Sequence, residues 1–190
     1  MRRRILGFAI VLVLLTQVTF AQNVEVSAEK STIKWLGKKI GGQHDGNIQL
    51  KSGSLELESG QIVGGSIIID MTTITNTDLK DAGYSQKLVG HLNSDDFFGV
   101  EKYPTAIFKV THSSKFSNGK ANLTGDMTIK GKAESISFEV KKTGNEYVAT
   151  IEIDRSKFDV RYGSNSFFDN LGDKTIDDIF TLEIKLAVND

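Results

Sequence analysis

At 190 residues, with 39% apolar and 25% charged side chains, one proline and no cysteine, the chain can bury one sizeable core. That composition excludes a disulfide framework, a thiolate metal site and a disordered or collagen-like polymer. The formal charge is −1, from 23 basic against 24 acidic residues; without three arginines near the N-terminus the balance is 20 against 24, or −4, which argues against a nucleic-acid partner needing a basic stripe. Those arginines, Arg2, Arg3 and Arg4, precede an apolar run from Ile5 to Leu15, and Thr19-Phe20-Ala21 offers small residues at two of three cleavage positions. The pattern predicts a signal peptide over 1–21 and a single domain over 22–190, exported to the periplasm or secreted. The apolar run falls short of the roughly 20 residues that span a bilayer, which leaves an uncleaved anchor as the alternative.

Beyond the leader, Ile33 and Trp35 share one face of an alternating run that Gly41-Gly42 breaks, and a second alternating run covers Asn47 to Lys51. Ser52-Gly53 and Ser59-Gly60 read as turns flanking Leu55 and Leu57. Ile67 to Met71 is apolar on both sides and needs a cover, which the next segment can supply as one or two short helices starting at Thr77-Asp78, with Leu79, Ala82, Leu88 and Leu92 on one face. A turn with Asp95, Asp96, Phe97 and Phe98 follows, and Pro104 sets up a strand with Ala106, Phe108 and Val110 on one side. From there the period is two throughout: Leu123, Met127 and Ile129; Ile136, Phe138 and Val140; Tyr147, Ala149, Ile151 and Ile153; and Phe180, Leu182, Ile184, Leu186 and Val188. Asn118-Gly119, Lys130-Gly131 and Gly144-Asn145 separate these runs as turns, and Ser164 to Asp173 is irregular. About eight such strands suit an antiparallel barrel or sandwich whose interior is either filled or holds one small ligand.

Catalytic signatures are scarce. His44, His91 and His112 are isolated in sequence, no Gly-x-Ser-x-Gly elbow occurs, and Gly125 to Ala133 has neither the spacing nor the hydroxyl of a phosphate loop. The acidic pairs Asp95-Asp96 and Asp177-Asp178 read as helix-capping groups, with Ser94 as a candidate N-cap. No catalytic residue, metal site or cofactor is therefore expected. The surplus of aromatic residues fits a packed core as well as a ligand cavity.

His91-Leu92-Asn93-Ser94-Asp95-Asp96-Phe97-Phe98, followed by Glu101 to Phe108, resembles the central motif of the YceI-like family, bacterial polyisoprenoid-binding proteins with a lipocalin-like barrel. Further blocks carry the likeness from about Val24 to Val188: Gly42 to Gly46, Gly64 to Ser66 with Ile69 to Met71, Gly125 to Lys132, and Ile153 to Arg155 with Phe158 and Arg161 to Ser164. Gly99 and Ala133 depart from it, standing where Asp and Thr are usual, both on turns. The resemblance implies an all-β fold with short helices, an extended eight-stranded antiparallel lipocalin-like β-barrel enclosing an apolar tunnel for an isoprenoid lipid such as a quinone or a prenyl phosphate.

On that reading the tunnel wall comprises Ile33, Trp35, Ile67, Ile69, Met71, Leu88, Leu92, Phe97, Phe98, Phe108, Met127, Phe138, Ile151 and Ile153. The mouth candidates are His44, Arg155, Arg161 and Tyr162, Arg155 having a competing role as an ion-pair partner of Asp154 or Asp70. At ~0.8 kcal/mol per buried methylene, apolar walls alone can bind a prenyl tail. Transient contact with a membrane surface and pairing into a homodimer are compatible with such a carrier. A filled barrel serving as an interaction or stress-response module, and an enzyme acting on a bound prenyl lipid, remain open alternatives.

Overall fold

A computed structural model describes residues 21–189. The signal-peptide reading of 1–21 falls, apart from Ala21, outside the described residues. Eight antiparallel strands close into a barrel in chain order, the last returning to the first. They are β1 (Gln22–Lys39), β2 (Gly42–Glu58), β3 (Gln61–Asp70), β4 (Thr105–Ser113), β5 (Lys120–Ile129), β6 (Lys132–Thr143), β7 (Glu146–Asp154) and β8 (Ile176–Val188).

Alternation decides which face turns inward. In β5, Ala121, Leu123, Met127 and Ile129 are buried while Lys120, Asn122 and Asp126 are exposed; in β7, Tyr147, Ala149, Ile151 and Ile153 are buried between Val148, Thr150 and Glu152. The outer face is thus largely polar, the inverse of a membrane-spanning barrel with its apolar outer band. The hairpins at Asn118-Gly119 and Lys130-Gly131 place both turn residues at positive φ, the twist that two-residue connections require.

Three local expectations are corrected. Ser52-Gly53 is no turn: β2 runs through it, and the register slips between Leu50 and Ser52, a bulge that lets a long strand bend around the barrel. The helix does not start at Thr77-Asp78. It is α1 (Ala82–Asn93), capped by Asp81, whose carboxylate accepts the Tyr84 N–H at 2.9 Å. The earlier acid is already committed, because Asp78 accepts the Asp45 N–H at 3.1 Å and faces His44 at 2.9 Å. Nor do Ser94 and its acidic neighbours cap a following helix: Ser94 closes α1, its hydroxyl donating to the His91 carbonyl at 2.7 Å, and Asp95 pairs with Lys102 at 2.6 Å.

Residues 72–79 instead form a strap along β2. Thr75 N–H donates to the Asn47 carbonyl and Thr77 N–H to the Asp45 carbonyl, each at 2.9 Å, so the strap continues the ladder where β3 ends. It seats Ile74 in the core. The run Ile67 to Met71 points Ile67, Ile69 and Met71 inward and leaves Ile68 half-buried, and no residue of α1 is fully buried.

One seam of the wall is short. β5 and β6 pair from Lys120↔Lys141 to Ile129↔Lys132, whereas β6 and β7 pair only over Lys141–Thr143 with Glu146–Val148 before the strands part.

Candidate functional site

Among the described residues, two apolar cavities lie in the barrel interior. The first, about 100 Å³, is lined by Trp35, Met71, Leu92, Phe97, Phe98, Ile153, Arg155 and Phe180 among others. The second, about 50 Å³, is lined by Ile33, Ile67, Phe108, Phe138, Ile151 and Ile184 among others. Ile69 and Met127 line both. Of the wall residues expected from sequence, Leu88 alone lines neither cavity; it sits half-buried one turn before Leu92 on α1.

Sequence reasoning passed over several lining residues. Phe180, Leu182 and Ile184 were visible as one face of the last strand, whereas Ile74 on the strap carries no periodic signal. Edge-to-face rings connect the first cavity to the surface: Phe180 to Phe98 at 6.3 Å, Phe98 to Phe97 at 4.9 Å, Phe97 to His91 at 5.8 Å, and His91 to Tyr162 at 4.3 Å.

The mouth candidates take three different places. Arg155 is 2% exposed, and its guanidinium donates to the carbonyls of Asp177 (3.0 Å), Val160 (2.8 Å), Tyr162 (2.9 Å) and Ile176 (3.0 Å) while facing Asp178 at 3.2 Å. The counter-ion is thus Asp178, not Asp154 or Asp70. Asp154 instead accepts the Ser156 N–H and caps the short 3-10 turn Arg155–Phe158. Burial pulls the Arg155 pKa down, and Asp178, Asp154 and Asp177 oppose that pull. A guanidinium stays charged under such conditions, so the group is a fixed cation whose fork is committed to holding the 155–163 loop against the start of β8.

Arg161 and Tyr162 line an outer hollow of about 530 Å³ with Asp95, Asp96, Lys130, Asp159 and Lys174. Arg161 pairs with Asp159 and lies 5.0 Å over the Phe167 ring. Lys130 clasps the floor of the hollow, its ammonium donating to the carbonyls of Asp95 (2.9 Å), Phe97 (2.8 Å) and Asp159 (3.4 Å). His44 lies on β2, where its ring meets Asp78 of the strap at 2.9 Å.

Asp78 gives the strap a pH dependence. Burial alone would raise its pKa, but hydrogen bonds from His44, the Asp45 N–H and Asn76 outweigh that and hold it below the ordinary aspartate range. A folded value below the unfolded one means stability present above the unfolded value and lost as pH falls through the folded value. Asp78→Asn is expected to lower hydrogen-exchange protection of the Thr75 and Thr77 amides roughly two- to fivefold at neutral pH, the difference from wild type vanishing at strongly acidic pH. A constant difference across that range would remove the ionised carboxylate as its source.

Comparison with known proteins follows the same outline. A crystal structure of Burkholderia cenocepacia BcnA superposes with a TM-score of 0.69 at 23% identity, covering 87% of this chain and 99% of that one. The structure of a polyisoprenoid binding domain from Saccharophagus degradans gives 0.59 at 12% identity over 87% and 97%. The YCEI protein of Campylobacter jejuni gives 0.53 at 19% over 100% and 99%. Among curated sequences, a UPF0312 protein of Vibrio parahaemolyticus is 29% identical over 55% of this chain and 57% of its own length, and Protein YceI of Escherichia coli O157:H7 is 34% identical over 40% and 39%. The chain therefore aligns with little more than half the length of the curated relatives, or less. The YceI-like domain itself matches residues 24–188, nearly all of the barrel, and the chain belongs to the YceI-like domain family.

Proposed function

We propose that this barrel binds a long-chain isoprenoid or similar amphiphilic lipid in its interior and carries or stores it without chemical change. The observation that carries the reading is the first cavity, whose wall is apolar except at Arg155 and Asp177. With its guanidinium committed to protein carbonyls and Asp178, Arg155 contributes fixed charge to the wall and not a free acid or base. The polyisoprenoid binding domain from Saccharophagus, which shares the fold, supports the ligand class. A quinone or a prenyl phosphate has the required apolar tail and polar head. The leader pattern and the family support an exported, periplasmic or secreted carrier that meets membrane surfaces transiently to exchange its lipid.

Volume favours a second reading. A dry apolar cavity of ~150 Å³ holds about one benzene-sized molecule, and drug-sized ligands take ~300–1,000 Å³. Cavities of about 100 and 50 Å³ are closer to a filled core, which would suit an interaction module. Native mass spectrometry of the mature protein purified without detergent, followed by solvent extraction, separates the two. A stoichiometric prenyl lipid is expected, and the same spectrum reports whether the barrel pairs into a homodimer. A ligand-free mass that stays unchanged after incubation with quinones and prenyl phosphates would replace the carrier by the filled barrel.

A further inference from the structure

The two cavities lie end to end along the barrel, and strand register shows where they divide. Ile69 pairs with Ala106, and Phe108 pairs with both Ile67 and Met127. Ala106 faces the first cavity and Phe108 the second, so Ile69 and Met127 stand at the level between them. On the opposite wall the change falls between Leu182, which lines the first cavity, and Ile184, which lines the second.

The two dividing side chains differ in kind. Ile69 is β-branched and stiff at χ1. Met127, 2% exposed, is unbranched, with three rotatable bonds, and is the easier of the two to turn aside. Behind it the second cavity has a wall able to yield. Phe138 and Val140 come from β6, Ala149 and Ile151 from β7, and these strands are not paired with each other at those residues. Widening at those residues breaks no rung between β6 and β7, whereas widening anywhere along the β5–β6 wall would break several.

We propose that Met127 is the residue that sets the chain length of the bound lipid: a short prenyl chain swells the first cavity alone, and a longer one enters the second only by displacing the Met127 thioether and parting the β6–β7 seam. This rests on the lipid-binding reading and adds to it a rule for which lipids are taken. A wholly apolar partition discriminates by length and not by headgroup, because it offers no hydrogen bond to either end of the chain.

The test measures affinities of wild type, Met127→Ala and Met127→Phe for geraniol, farnesol, geranylgeraniol and solanesol, read by quenching of Trp35, the only tryptophan in the chain, which lines the first cavity. Met127→Ala is expected to favour the two longer alcohols about tenfold relative to geraniol, since the flexible stopper is gone. Met127→Phe is expected to weaken the two longer alcohols at least about tenfold more than it weakens geraniol, because a rigid ring fills the passage. Either variant decides alone should the other fail to fold. An affinity-against-length profile that is the same in wild type and the folded variants overturns the partition while leaving the carrier standing. Absence of binding of every alcohol to wild type overturns the carrier and the partition together.

Discussion

Replacing Arg155 by alanine is expected to lower the unfolding free energy by about 3–5 kcal/mol, the cost of breaking a buried ion pair from one side. The fork contacts four carbonyls and one carboxylate drawn from two stretches, the loop through Tyr162 and the start of β8. Truncation leaves the buried Val160 carbonyl without this donor and the part-buried Asp178 carboxylate with the Ser166 hydroxyl but no cation, and a buried acceptor left unmade costs far more than a made hydrogen bond contributes. The loss also reaches the aromatic wall, because the guanidinium lies 5.4 Å over the Phe97 ring. Arg155→Lys is expected to recover only part of the loss: a lysine keeps the charge but brings three donors on a point ammonium in place of the planar fork. Urea denaturation followed by far-ultraviolet dichroism gives both values. An alanine variant within about 1 kcal/mol of wild type would show that the loop and β8 hold together without the fork.

Arg155 illustrates how far the sequence reaches. Its block is recognisable, and so is its choice between anchoring a ligand and pairing with an acid, but neither acid expected to pair with it, Asp154 or Asp70, is its counter-ion. Asp178 lies at the start of β8, across the irregular 155–175 segment, and the antiparallel pairing of β8 with β7, which ends in the rung Asp154↔Ile179, brings it beside Arg155. The strands themselves were legible because period two survives any tertiary context that buries one face, and the same face supplied nearly every cavity residue. Where the signal was a short polar motif it misled. Thr77-Asp78 and Ser94-Asp95-Asp96 both look like helix starts, yet Asp78 is consumed by β2 and Ser94 by the helix before it. Capping residues satisfy whichever backbone donors or acceptors the fold brings near, and that is tertiary information.

Gly46→Ala is expected to detach the strap. A Cβ at that position would sit 1.8 Å from the Thr75 carbonyl oxygen and 2.8 Å from both the Thr75 carbonyl carbon and Cζ2 of Trp35. Two of the three atoms are backbone and cannot rotate away. The strap is pinned on either side by the Thr75 and Thr77 amides, and the Thr75 oxygen is itself the acceptor of the Trp35 indole N–H at 3.0 Å. Relief therefore requires the strap to lift, which breaks that indole bond and withdraws Ile74 from the first cavity. Overpacking of this kind costs about 1–3 kcal/mol, and the lost hydrogen bonds place this case at about the upper end. Trp35 reports it directly: its emission is expected to shift to the red and become more accessible to iodide, with the urea midpoint lowered. Gly90→Ala is the control, since a Cβ there meets nothing within 4 Å and a helical alanine is about 0.5–1 kcal/mol better than glycine; Trp35 emission should be unchanged. A Gly46→Ala protein with wild-type emission and stability would mean that the strap can shift without loss, and the first cavity would then have no fixed cover on that side.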